Sequence, residues 1–169
     1  MDLLERTSII GEIARRKQGG QLGKTAMMKL LHLLQDGLGV PLGYRFTLYN
    51  YGPYDTEVMS DIEFAESLNR VIVNYQGLDQ GYQIAAGSNI GDLPQDLQQK
   101  LTKLMADFGA MNARELELRS TLLFLSRDYR DQRVIERLRE LKPKYSDIEA
   151  SSALNDLRSK GFAKAGQGS

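Results

Sequence analysis

The chain has 169 residues, 41% of them hydrophobic, and its 22 Lys and Arg balance 22 Asp and Glu. This hydrophobic fraction can form a packed core, which argues against a wholly disordered chain. Because there is no net positive charge, the chain gains little sequence-independent attraction to nucleic acid. Cysteine is absent, which excludes disulfides and thiolate zinc sites.

The charge is uneven along the chain. Residues 51–100 hold two basic and eight acidic side chains. Where it is exposed, this acidic middle would repel phosphate groups. The pattern therefore lowers the expectation of a dedicated nucleic-acid binder without excluding one.

The sequence also bears on location. No apolar run approaches the ~18–20 residues that a membrane span requires. Acidic residues near the N-terminus, Asp2, Glu5 and Glu12, argue against a signal peptide. We therefore expect a cytoplasmic protein with no membrane among its partners.

Two apolar helices are predicted at the start of the chain. Residues 3–17 place their Leu and Ile side chains near one helical face, and Gly19-Gly20 ends that helix. Residues 24–36 leave almost no polar face, which predicts a central, buried helix. The segment that follows, GVPLG, is predicted as a loop.

The spacing of apolar and aromatic residues changes after this loop from a helical to a strand-like pattern. Tyr44–Tyr51 alternates in the manner of a short strand, and Gly52-Pro53 is predicted to end it. Asp55 or Thr56 can cap a helix that runs to about Asn69. After that helix, residues 71–85 predict a β-hairpin, or wing.

The remainder of the chain is predicted to be helical. A helix beginning near Pro94 runs to Gly109, or on to Leu125 with a break, and further helices cover Asp131–Leu141 and Asp147–Lys160. The expected fold is mainly α: a winged-helix-like core with a short strand and a β-hairpin wing over residues 1–90, and a C-terminal helical extension over 91–169 packed on it. The apolar positions of the extension suit either a homodimer or completion of the core. These positions are Leu116, Leu118, Leu122, Leu123, Phe124 and Leu125.

Few residues are suited to catalysis. The sole histidine, His32, lies within an apolar helix, and a single His without Cys excludes the common zinc arrangements. Five carboxylates could serve acid–base or magnesium chemistry, or they could be ordinary charges at a helix start. We expect no cofactor and no enzyme, and we keep a metal-dependent hydrolase as the weakest alternative. The carboxylates are Asp55, Glu57, Asp61, Glu63 and Glu66.

DNA is an alternative partner, because the order of elements is that of a winged helix. The helix at 56–69 carries acidic side chains, which do not suit a DNA groove. The helix at 147–160 and the turn before it carry more suitable side chains for bases and phosphates. The candidate DNA-binding residues are Lys142, Lys144, Ser151, Asn155 and Arg158.

The most unusual stretch is YNYGPYDTE, residues 49–57. Five of the thirteen Tyr and Phe residues lie between Tyr44 and Tyr54. The rings can cover the edge of the core while their hydroxyls reach water. They can equally anchor a partner protein, because Tyr is enriched at interface hot spots. Within the stretch, we expect Tyr51 to be structural and Tyr49 and Tyr54 to contact a partner.

A family resemblance rests on the helix KTAMMKLLHLLQ, the segment GVPLGYRFTLYNYGPYDTEVMSDI and the wing. This order resembles the SocA-like Panacea antitoxin domains and the related YwgA-type proteins over about residues 20–90. His32 stands where an aromatic residue is usual, and Tyr54 stands where Panacea domains often have Val. The matching positions are Lys29, Leu30, Leu31, His32, Tyr51, Gly52, Pro53 and Tyr54.

The resemblance implies a non-enzymatic binding module of toxin–antitoxin or phage-defence systems. Members of the family are thought to neutralise a toxin by direct contact. The expected partner is therefore another protein, a toxin or a defence-system component, and the winged-helix transcriptional regulator remains the alternative. The expected partner-binding residues are Tyr49, Tyr51, Gly52, Pro53 and Tyr54, with Lys29 and His32 beside them.

Overall fold

The computed structural model describes residues 1–18 and 22–162, so the predicted helix stop at Gly19-Gly20 lies outside the described residues. The expected mainly α fold with a short β-hairpin is confirmed. In chain order the elements are α1 (Leu3–Arg16), α2 (Lys24–His32), a π-helical segment (Leu33–Gly37), β1 (Thr47–Tyr49), β2 (Gly52–Tyr54), α3 (Thr56–Ser67), β3 (Val71–Tyr75), β4 (Tyr82–Ala86), α4 (Gln95–Phe108), α5 (Ala113–Leu125), α6 (Gln132–Leu141) and α7 (Asp147–Ser159).

Helix α2 is buried at the centre, as its apolar sequence predicts. Every residue from Ala26 to His32 is buried, which leaves no face for solvent. The helix then widens into the π-helical segment instead of ending at Asp36. A Cβ at Gly37 would lie 2.5 Å from the Phe162 ring, so glycine permits Phe162 to pack there.

The segment around Gly52-Pro53 differs from its prediction. A single strand ending at Tyr51 is wrong, because Gly52 and Pro53 themselves form the second strand of a tight antiparallel hairpin. The register pairs Thr47 with Tyr54 and Tyr49 with Gly52. Gly52 has φ +92°, a conformation that glycine adopts without steric cost and that reverses the chain. We call residues 47–54 the tyrosine hairpin.

Helix α3 and the wing are confirmed close to their predicted bounds. The Asp55 carboxylate accepts a hydrogen bond from the Glu57 backbone N–H at 2.9 Å and caps α3. Strands β3 and β4 pair antiparallel from Val71–Ala86 to Tyr75–Tyr82. The order helix, hairpin, helix, hairpin is therefore present.

The C-terminal helices complete the core. Of the six apolar positions named above, Leu116 to Leu125, all are buried except the half-buried Phe124. Helix α5 packs against α2, β2, α6 and α7, so it lies between the two halves of the chain. A single cluster of buried side chains includes residues from both halves. The division at residue 90 stays a prediction.

Helices α1 and α4 have 14 residues each, fewer than the ~20 that a membrane span requires. Within the described ranges, no helix has both the length and the apolar character needed to cross a bilayer.

Candidate functional site

The tyrosine hairpin presents two aromatic rings to solvent. The side chains of Tyr49 and Tyr51 are 63% and 66% exposed, whereas Tyr54 is half-buried. The rings of Tyr49 and Tyr54 lie side by side, with centroids 5.6 Å apart. The expectation that Tyr51 is structural is wrong, because Tyr51 is the more exposed of these two tyrosines, whereas Gly52 and Pro53 after it are buried.

Two lysines hold the backbone of this hairpin from below. Lys29 Nζ of α2 donates a hydrogen bond to the Pro53 carbonyl at 2.8 Å. Lys142 Nζ, at the end of α6, donates to the Asn50 carbonyl at 2.6 Å. Both lysines are buried, so each ammonium hydrogen bond is shielded from water and strengthened. The hairpin is thus held at its turn and at the middle of β2.

A buried carboxylate organises the groups below the hairpin. Glu117 of α5 is 3% exposed. Its Oε1 lies 3.0 Å from Lys142 Nζ, and its Oε2 lies 2.7 Å from Lys144 Nζ. The Tyr145 hydroxyl donates to Oε2 at 2.9 Å. We call Glu117, Lys142, Lys144 and Tyr145 the Glu117 cluster. Because Lys142 also holds Asn50, the cluster couples α5 and α6 to the tyrosine hairpin.

Gly52 allows the hairpin to approach helix α5 closely. A Cβ at this position would lie 2.9 Å from Thr121 Oγ1 and 3.4 Å from both Glu117 Cγ and Lys29 Cε. Any side chain would therefore push the hairpin away from Thr121 of α5. Glycine is required here for its backbone conformation and for its size.

Burial lowers the pKa of Lys29 to about 8, an effect that Glu117 opposes and Lys142 reinforces. Below that pH the Lys29 ammonium is charged in both the folded and the unfolded protein, and burying the charge lowers the stability of the fold. Between pH 8 and the ordinary value of 10.5, the folded state releases its proton first, so the unfolding free energy rises with pH.

This pKa predicts a pH-dependent effect of Lys29→Met. Methionine has no titrating group, so the unfolding free energy of the variant lacks the rise with pH that Lys29 gives the wild type. Relative to the wild type, the variant should therefore become less stable by about 2 kcal/mol between pH 7 and pH 10. Urea unfolding followed by circular dichroism measures it. Lys100→Met, an exposed lysine on α4, is the control with no such change. Parallel pH profiles of Lys29→Met and wild type would contradict the assignment.

His32 does not belong to the exposed surface. It is 0% exposed, so the expectation that it borders a partner contact is wrong. Its Nδ1 lies 2.7 Å from Ser120 Oγ, and its Nε2 lies 3.1 Å from Asp36 Oδ2 outside hydrogen-bond geometry. Its ring meets Phe46 edge-on at 4.9 Å between centroids. Burial lowers the pKa of His32 despite Asp36, which indicates a neutral core histidine.

The most buried carboxylate of the acidic segment has a structural role. Asp61 is 3% exposed and lies 2.7 Å from Arg6 Nε. The Tyr44 hydroxyl donates to Asp61 Oδ2, and burial together with this hydrogen bond raises the pKa of Tyr44. Arg6 also pairs with Glu57 at 3.1 Å. These contacts join α1 to α3.

The other carboxylates of that segment do not converge. Asp55 caps α3, and Glu66 accepts a hydrogen bond from the Val73 backbone at 3.0 Å. Glu63 is exposed. Over residues 1–18 and 22–162, no group of three or more His, Asp and Glu side chains is placed to hold a metal ion. The geometry offers no support for the metal-dependent hydrolase.

The candidate DNA-binding residues are not assembled for phosphate contact. Lys142 is 7% exposed and lies beneath the tyrosine hairpin, and Lys144 is paired with Glu117. Arg158 lies 3.7 Å from Asp131. On α7, Asn155 is exposed and Ser151 half-buried. The expectation that Lys142 meets phosphate is wrong, because its ammonium serves the hairpin.

The structure adds residues that the sequence did not single out for the site. Glu117 and Tyr145 join the hairpin support, and Thr121 lies against Gly52. One signal was visible in advance: Glu117 is a charged residue among the apolar positions of α5, and a charge on an apolar face needs a partner.

Comparisons with protein-family models, with curated proteins and with solved structures found no match.

Proposed function

We propose that the chain is a cytoplasmic, non-enzymatic protein-binding module that contacts another protein through the tyrosine hairpin. The role that fits the resemblance is an antitoxin-like or phage-defence-associated component, which acts on a toxin or another defence protein by direct contact. The residues assigned to the contact are Tyr49, Tyr51 and Tyr54. Gly52, Pro53 and Lys29 hold them in place.

One observation carries this proposal: two neighbouring tyrosines are exposed on a hairpin whose backbone is held rigid. Tyr49 and Tyr51 are each more than 60% exposed, while the carbonyls of Asn50 and Pro53 accept hydrogen bonds from buried lysines. Fixed aromatic anchors lose little conformational entropy on binding, so more of their contact energy appears as affinity. Because most of the surface of Tyr49 and Tyr51 remains accessible to solvent, both rings are available to a partner, which favours a binding role.

The proposal is tested by co-purification with neighbour-encoded proteins, comparing wild type with the Tyr49→Ala/Tyr51→Ala variant. We expect recovery of the partner to fall at least tenfold, or about 1.4 kcal/mol, because both rings are proposed anchors. Circular dichroism checks that the variant remains folded.

The wing supplies a matched control. Tyr75 and Tyr82 are 56% and 47% exposed and form a cross-strand pair 5.1 Å apart on the other hairpin. Tyr75→Ala removes the same kind of ring from a different surface, so it should leave recovery unchanged. Tyr82 is kept, because Lys24 beside the tyrosine hairpin lies over its ring. Equal recovery in all three proteins would overturn the site. A mobility shift on the chain's own promoter, together with equal recovery, would support the transcriptional regulator instead.

A further inference from the structure

A buried ammonium borders a cavity at the base of the tyrosine hairpin. Lys29 is 1% exposed, and its Nζ has one hydrogen bond, to the Pro53 carbonyl at 2.8 Å. An ammonium carries three N–H donors. In the part of the chain that the structure describes, no carboxylate oxygen lies within 4.0 Å of this Nζ. The protein therefore satisfies Lys29 only in part.

The carboxylate that acts electrostatically on Lys29 is already engaged by other groups. Glu117 influences Lys29 electrostatically, but its two oxygens bind Lys142, Lys144 and Tyr145. Two ammonium groups already share the single negative charge of Glu117. Lys29 adds a further positive charge, and a buried charge without a close counter-ion is costly. This region of the core has an excess of positive charge.

The cavity suits an acidic side chain in size and lining. It measures about 200 Å³, smaller than the ~300–1,000 Å³ of most small-molecule sites. Its walls include Tyr49, Tyr51 and Tyr54 of the hairpin, Met28 and Met59, with Lys24 and Lys29 as charged groups. Among the described residues, no Asp or Glu lines it.

We propose that this cavity receives the carboxylate of an Asp or Glu side chain from the partner protein, with Lys29 as its counter-ion. The inference rests on the proposed function, in which the hairpin contacts a protein, and it names the chemistry of that contact. The methionines and tyrosine rings would cover the methylene groups of the inserted side chain. The carboxylate would occupy the donors of Lys29 that Pro53 leaves unused.

The test uses two blocked tripeptides as probes, Ac-Leu-Glu-Leu-NH2 and its isostere Ac-Leu-Gln-Leu-NH2. Nuclear magnetic resonance of protein labelled in its lysine side chains follows the Lys29 Cε and Nζ signals during titration. We expect the Glu peptide to shift these signals and to bind at least tenfold more tightly than the Gln peptide, because only the former carries a charge. Both titrations use the wild-type chain, so the result does not depend on a variant folding.

Variants then locate the effect. Lys29→Met should abolish the preference for the Glu peptide, whereas Lys100→Met, on the exposed side of α4, should retain it. Equal affinities for the two peptides, or a preference that leaves the Lys29 signals unchanged, would overturn the proposal. Saturation by free acetate at lower concentration than by the Glu peptide would also overturn it, in favour of a small-carboxylate site.

The result is separable from the proposed function. If neither peptide binds but partner recovery still depends on Tyr49 and Tyr51, the carboxylate inference fails and the hairpin contact stands. If the Glu peptide binds but partner recovery does not depend on Tyr49 and Tyr51, the cavity binds carboxylates and the proposed hairpin contact fails.

Discussion

Glu117→Gln is expected to lower the unfolding free energy by about 3–5 kcal/mol at pH 7, the usual cost of removing one partner from a buried ion pair. Gln keeps the size of the side chain but not its charge. Lys142, with 8% of its side chain exposed, would then be a buried cation without its counter-ion. Because Lys142 holds Asn50, the substitution should also loosen the tyrosine hairpin. Urea denaturation measures the change in stability.

Glu115→Gln is the matched control for this prediction. It lies on the same helix two residues earlier, and its side chain is exposed. An exposed charge in high dielectric contributes little, so its substitution should change stability by less than about 0.5 kcal/mol. If the two substitutions cost the same, the Glu117 cluster does not stabilise the fold.

Acid should remove the difference in unfolding free energy between Glu117→Gln and the wild type. Burial alone would raise the pKa of Glu117, but hydrogen bonds from Lys144, Lys142 and Tyr145 lower it below its ordinary value. A carboxylate with a lowered folded-state pKa contributes stability above its ordinary pKa of 4.5 and loses it as pH falls through the folded value. The difference in unfolding free energy between the two proteins should therefore become smaller as pH falls below 4.5. A difference that stays constant would contradict the pairing of Glu117 with Lys142 and Lys144.

Gly52→Ala is expected to cost about 2–4 kcal/mol, from a left-handed backbone conformation and from steric overlap together. The residue has φ +92°, and the added methyl would lie 2.9 Å from Thr121 Oγ1. The hairpin must move away from α5 to relieve this contact. We therefore expect lower thermal stability and also weaker recovery of the partner protein, because Tyr49 and Tyr51 would shift with the backbone.

Gly77→Ala separates the two causes. Gly77, in the turn of the wing, has φ +96°, and nothing lies within 4 Å of its added Cβ. It should show the backbone cost alone, about 1–2 kcal/mol, and unchanged partner recovery. If Gly52→Ala costs no more than Gly77→Ala, the close approach to Thr121 is not important for stability.

The agreement with prediction was best where local signals act alone. Asp55 caps α3 as predicted, and α6 and α7 lie within one residue of their predicted bounds. Caps and stops depend on groups a few residues apart, so the sequence contains the whole interaction. The buried face of α2 was also predictable, because an all-apolar helix has no alternative to burial.

The site was predictable only in part. The sequence indicated the tyrosine-rich stretch, but not which ring is exposed. It placed Lys142 with the DNA-binding candidates, whereas the structure places its ammonium on the Asn50 carbonyl. These two residues are 92 positions apart, and no local pattern reports such a contact.

The sequence by itself determined a mainly helical chain, the cap of α3, the central apolar helix and an unusual cluster of aromatic residues. Only the tertiary structure decided that Tyr51 faces solvent and that Lys29 and Glu117 lie beneath the hairpin. The physical reason is the range of the interactions. Hydrogen bonding within a turn is encoded in neighbouring residues, but a buried charge finds its partner only when α2, α5 and α6 pack together.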